Sequence, residues 1–185
     1  MKYRVMVCWL AFMASLMQVS AQTSAMDVIG INEHLTRYSD YQDSIDEIVA
    51  SGTKWVRFGM EWGSIETSKG VHNTANLAKL DAIVNQLHDA DVNILFLLGF
   101  TAQWASSQPS APWDTATRVR PANWSDWEDF VTFITTRYQG KITHWEVWNE
   151  PDHLGFWKSS VADYVTLLQK ASVRIRAADS QNVVV

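Results

Sequence analysis

The chain holds a single cysteine, Cys8, in 185 residues. It lies in a leader-like N-terminal segment, so the body of the protein has no thiolate site and no disulfide. Its core alone must hold it together. Basic excess is also missing: 15 Lys and Arg face 20 Asp and Glu, a formal charge of −5. That removes the electrostatic footprint of a nucleic-acid binder, so no nucleic-acid partner is expected. No glycine-rich phosphate loop follows the first strand-like segment, which weakens a nucleotide-binding doubly wound sheet and leaves a flavodoxin-like one open. His72, His88 and His153 lack metal-ligand spacing, so neither metal nor cofactor is expected. The apolar run Val5 to Met17 is too short to cross a bilayer comfortably.

That run fits a secretory leader. Lys2 and Arg4 give a basic start, and Val19-Ser20-Ala21 offers a small-residue cleavage site before Gln22. The expectation is a signal peptide over 1–21 and a secreted or periplasmic body over 22–185, with no membrane attachment after cleavage. An uncleaved anchor is the alternative.

What the chain has in excess is tryptophan, ten residues in all. An indole offers a large apolar face and one N–H donor, which suits a core and also suits stacking on sugar rings.

Apolar periodicity predicts alternating strands and helices. Strands are expected at 28–32, 54–62, 92–98, 144–148 and from 182 onward. Helices are expected at 40–51, 74–89, from about Ser125 to Gly140, and from about Ser160 to Ala177. Gly52 and Gly140 sit where helix ends favour glycine. Ser125-Asp126-Trp127-Glu128 has the spacing of a capping box. Residues 101–122, with Pro109, Pro112 and Pro121, form one long loop of the kind that is usually functional or disordered. Strict alternation with nearly all-apolar strands argues for a parallel sheet covered by helices.

Polar residues then gather at strand C-termini: His34, Arg57, Glu61, Trp62, Thr101, Trp104, Asn149 and Glu150. In a (β/α)8 barrel that end carries the active site. The densest stretch is His144-Trp145-Glu146-Val147-Trp148-Asn149-Glu150-Pro151, a short strand that stops in an Asn-Glu pair and a proline.

Trp148-Asn149-Glu150-Pro151 resembles the motif closing the fourth strand in the large clan of retaining glycoside hydrolases with (β/α)8 barrels. Trp55-Val56-Arg57 through Trp62, Ile65-Glu66 and Lys69-Gly70 resembles that clan's run from strand two into its loop. Leu98-Gly99-Phe100 with Trp104-Ala105-Ser106 is similar to the third-strand exit of the β-xylosidase/α-L-iduronidase type and of cellulase-like relatives. Ala162-Asp163-Tyr164 and Ala177-Ala178-Asp179 extend the likeness, which covers roughly residues 28–185. The resemblance implies an α/β fold, a (β/α)8 TIM barrel present as its N-terminal part of about four and a half β/α units. It implies a carbohydrate substrate, Glu150 as general acid/base, Asn149 hydrogen-bonded to the sugar 2-hydroxyl, and Arg57 beneath the catalytic carboxylates. His34 is a further candidate sugar ligand by its position, and Trp62, Trp104 and Trp148 are candidate sugar platforms.

Glycoside cleavage by retention needs one carboxyl group to protonate the leaving oxygen and a second one opposite to attack. The clan's second carboxylate closes strand seven, and this sequence has no residue in that position. Three explanations compete: a piece of a longer product, a truncated relative, or self-association of half-barrels; the expectation is a fragment that is inactive alone. A non-catalytic carbohydrate-binding or degenerate half-barrel is the alternative function. The residues also have plainer readings. Glu150 and Asn149 could serve the turn, and Arg57 could be a structural ion-pair partner. His34 could be a loop hydrogen-bonder. Glu146 and His144, which by strand alternation share a face with Trp148 and Glu150, could be satisfied polar groups inside the barrel.

Overall fold

The computed structural model describes residues 29–185. The segment expected to be a leader, its expected cleavage site and Val28 lie outside them. The elements run β1 (Gly30–Asn32), α1 (Tyr41–Ser51), β2 (Trp55–Gly59), α2 (Trp62–Ile65), β3 (Glu66–Ser68), β4 (Val71–His72), α3 (Thr74–Asp89) and β5 (Asn93–Leu98). Then come α4 (Trp113–Ala116), α5 (Trp124–Arg137), β6 (His144–Val147), α6 (Val161–Ala178) and β7 (Val183–Val184). Among the described residues no helix is long and apolar enough to cross a membrane.

The main sheet is parallel, in the order β1-β2-β5-β6-β7. Each strand lies beside its predecessor, with a helix crossing between them. A doubly wound sheet reverses its strand order at a switch point. This one never reverses, and winding in one direction is what a (β/α)8 barrel requires. The sheet is a partial barrel.

Burial alternates along the strands because successive side chains point to opposite faces. Val56, Phe58, Ile94, Phe96, Leu98, Trp145 and Val147 are buried. Phe58, Phe96 and Trp145 form a continuous row, with ring centroids 5.6 Å apart at each step. The helices cover this face. From α3, Leu80, Ile83, Val84 and Leu87 are fully buried, each contributing about 1.5–3 kcal/mol. The opposite parity, Trp55, Arg57, Gly59, Leu95, Leu97, His144 and Glu146, is half-buried and makes the inner face. Strands β2 and β5 close tightly there: a Cβ on Gly59 would stand 2.5 Å from the Leu97 carbonyl oxygen.

The expected capping box at Ser125–Glu128 does not form. Helix α5 starts one residue earlier, after Asn123. Asp126 turns away to an ion pair with Lys69, and Glu128 pairs with Lys170 and Arg174 of α6. The capping box lies instead at α6, where Ser160 and Asp163 satisfy each other's backbone donors. Residues 66–72, expected as loop, form a small β3–β4 hairpin turned at Gly70, whose φ of +73° suits glycine. The long 101–122 segment is ordered by its own contacts. Thr101 Oγ1 donates to Val119 O and Ser106 Oγ to Ala116 O, both at 2.6 Å. A single-turn 3-10 helix, Gln103–Ala105, and the short α4 lie within it.

Candidate active site

The site is built from strand ends that converge on Arg57. This residue points from β2 to the inner face and is held in place by the tight β2–β5 pairing. Its Nε donates to Glu146 Oε2 at 2.5 Å and its Nη2 to Glu146 Oε1 at 2.8 Å. Nη2 also reaches Asn149 Oδ1 at 2.8 Å, and Nη1 reaches Asn32 Oδ1 at 3.0 Å. One guanidinium thus ties β1, β2, β6 and the segment after β6. The Glu146 hydrogen bond, opposed by burial and joined by the charges of Glu146 and Glu150, holds the Arg57 proton more tightly than usual. A planar fork of donors makes this geometry possible; a lysine has none.

Simple alternation would set Asn149 on the face opposite Glu146. It does not, because Trp148 has φ +74° and Glu150 φ +44°. A left-handed backbone is costly for a bulky L-residue. Here it turns Trp148 back into the core and swings Asn149 onto the same guanidinium that holds Glu146. Glu150 is left exposed at the end of the corner. Strained residues of this kind collect at functional sites. The expectation that Trp148 and Glu150 share a face with Glu146 and His144 is corrected by this corner. Glu146 itself is a satisfied polar group of the inner face, and His144 stands edge-on to Trp55 at 4.6 Å.

Two of the expected sugar platforms are corrected by their burial. Trp148 is 1% exposed, packs edge-on against Phe100 and Trp157, and donates to Phe156 O. Trp62 has no exposed surface. Its ring stacks on Phe130 at 5.2 Å and its Nε1 donates to Glu66 Oε2 at 2.6 Å. Neither has a face open to a ligand; both support the loops around the site. Trp104 remains half-buried, its Nε1 bonded to Glu66 O, and it borders two cavities. His34 is exposed just after β1, its carbonyl accepting from the Arg37 N–H, and among the described residues no hydrogen bond joins its side chain to Arg57 or its partners.

Sequence reasoning missed Asn32 as a partner of Arg57; an Asn just before the polar turn after β1 was the available signal. It also missed Phe100 and Arg118. Arg118 lies over the rings of Phe100 at 5.1 Å and Phe156 at 5.0 Å, and Nη1 donates to Gly155 O. No periodicity announces such a contact.

Several solved structures share this fold. The chain superposes on a family 39 glycoside hydrolase from Bacteroides cellulosilyticus WH2 with a TM-score of 0.62 at 18% identity, over 84% of this chain and 30% of that one. For the GH39 enzyme from Xanthomonas axonopodis pv. citri the values are 0.66, 20%, 86% and 34%. For a beta-glycosidase from Pyrococcus horikoshii they are 0.63, 15%, 88% and 47%. The chain therefore spans less than half the length of each of these three structures. The sequence model of the cellulase family matches residues 19–185. With its wound parallel sheet and strand-end Asn-Glu corner, the chain belongs to the cellulase family, glycosyl hydrolase family 5.

Proposed function

We propose that this chain supplies the acid/base side of a retaining glycoside hydrolase acting on O-glycosidic bonds of an oligosaccharide or polysaccharide. The observation that carries the reading is the left-handed corner at Trp148–Glu150. It spends backbone strain to clamp Asn149 on Arg57 and to leave Glu150 exposed at a strand's C-terminal end.

In this scheme Glu150 gives its proton to the glycosidic oxygen as the bond to the leaving sugar breaks. A second carboxylate attacks the anomeric carbon and forms a glycosyl-enzyme. Glu150, now ionised, takes a proton from the incoming water, and the sugar is released with its configuration kept. Asn149, oriented by Arg57, meets the 2-hydroxyl of the reacting ring. We assign the attacking carboxylate to none of the described glutamates. Glu146 is tied to Arg57, and Glu66 accepts from Trp62 and from the Gly70 N–H. Glu61 lines a separate cavity beside Phe100. The basic start, short apolar run and Ala21 site support export of the protein.

Proton NMR of the first-formed product of an aryl glycoside tests the retaining scheme. The anomer released should match that of the substrate. An initial product of inverted configuration contradicts it.

A further inference from the structure

Glu61 follows β2 and occupies the N-cap position of α2, yet its side chain makes no capping hydrogen bond. Among the described residues its carboxylate hydrogen-bonds to no side chain or backbone group. It is half-buried. Burial pushes the carboxyl above its usual range, against the pull of Arg118 and Arg37. Neither arginine closes on it, and Arg118 is already engaged by two rings and the Gly155 carbonyl. A carboxyl group withdrawn from water without a partner is costly. Such groups in clefts are candidates for function.

Glu61 lines a cavity of about 230 Å³ together with Ser64, Phe100, Gln103, Trp104 and Trp113. Its volume falls below the roughly 300–1,000 Å³ of drug-sized sites and leaves room for one sugar ring. Trp113 is 51% exposed although its ring is large and apolar. A pyranose presents an apolar C–H face and a rim of hydroxyls. Aromatic rings suit the face, and a carboxylate suits the hydroxyls. Phe100 links this cavity to the acid/base corner, since its ring stands 5.1 Å from that of Trp148.

We propose that Glu61 is a sugar-binding, specificity-determining residue. Its carboxylate accepts hydrogen bonds from hydroxyls of a neutral pyranose unit seated against Trp104 and Trp113, beyond the unit cleaved at Glu150. A uronic acid is disfavoured there: it would bring a second carboxylate to Glu61 while Arg118 is already engaged. This inference rests on the glycosidase reading for its substrate class.

The test is calorimetric titration of the chain as its gene encodes it, carrying Glu150→Gln to suppress turnover. The probes are cellotetraose, xylotetraose and mannotetraose. Adding Glu61→Leu should weaken the best-bound sugar by about tenfold or more. Trp113→Ala, at an exposed position, should weaken it by about the same factor and covers the case in which Glu61→Leu fails to fold. Affinity within about twofold of the parent in each variant that folds overturns the inference. So does failure of all three sugars to bind. Hydrolysis of a single-ring aryl glycoside by the unsubstituted chain reads the glycosidase proposal separately. Glu150-dependent hydrolysis with Glu61-independent binding sinks this inference alone. Glu61-dependent binding without Glu150-dependent hydrolysis supports it and sinks only the reaction scheme.

Discussion

Arg57 Nη2 donates to Asn149 Oδ1 at 2.8 Å while the same guanidinium grips Glu146 with Nε and Nη2. The orientation of Asn149 is thereby set from a different strand, 92 residues away in sequence. Arg57→Lys keeps the charge but loses the fork, so it cannot hold both partners. We expect stability in urea to fall by about 1–2 kcal/mol. We expect kcat/KM on an aryl glycoside to fall by roughly ten- to a hundredfold, since Asn149, the proposed sugar ligand, is then misplaced. Wild-type kinetics in Arg57→Lys would mean that something else orients Asn149.

Trp62 makes a second test of the scaffold. It is fully buried, stacked on Phe130 and bonded to Glu66. Trp62→Phe keeps an aromatic ring but removes the donor to Glu66 Oε2, while Oε1 keeps the Gly70 N–H, at a cost of about 2 kcal/mol. Trp62→Ala adds a cavity, and the cost rises to about 3–5 kcal/mol. Urea unfolding midpoints read both. A change under about 0.5 kcal/mol in either, the level of an ordinary surface substitution, would contradict the assignment of Trp62 to the core.

The third expectation concerns pH. Burial on the inner face, beside the edge of Trp55, pushes the His144 imidazole below its ordinary value. The unfolded chain takes up this proton near pH 6.5, about the free value. Between that pH and the lower folded value the unfolded state binds more protons. His144 therefore contributes full stability above the unfolded value, and that contribution is lost as pH falls through the window. His144→Phe removes the proton site. The stability of the unsubstituted chain relative to His144→Phe should decline as pH drops from about 7 to about 5. A difference independent of pH would show that His144 titrates alike in both states.

Local patterns carried the outline of the fold into view. The face Leu77, Leu80, Val84 and Leu87 marks α3, and the apolar run 92–98 marks a strand buried on its helix side. Asn149-Glu150-Pro151 at a strand end marks the candidate site. What stayed hidden depends on backbone handedness or on partners distant in sequence. The positive φ of Trp148 reverses the facing of the next residue, and nothing in a tryptophan predicts a left-handed backbone. Ser125 and Glu128 had a capping box's spacing, but the helix starts after Asn123 and Glu128 pairs with Lys170 and Arg174 of α6. Trp62 and Trp148 sit beside the site in sequence, and only packing decided that their faces meet protein. Glu61 was visible as a strand-end glutamate, while its cavity required the 101–122 segment to fold over it.

The assignment of Glu150 as acid/base is tested most directly by leaving-group dependence. Aryl glycosides with a good leaving group, such as dinitrophenolate, need little proton donation, whereas unactivated ones need it fully. In Glu150→Ala, kcat/KM for a poor leaving group should fall by about 10²–10⁴. The loss on the activated substrate should be far smaller. Equal losses on both, or none on either, would contradict the role given to Glu150.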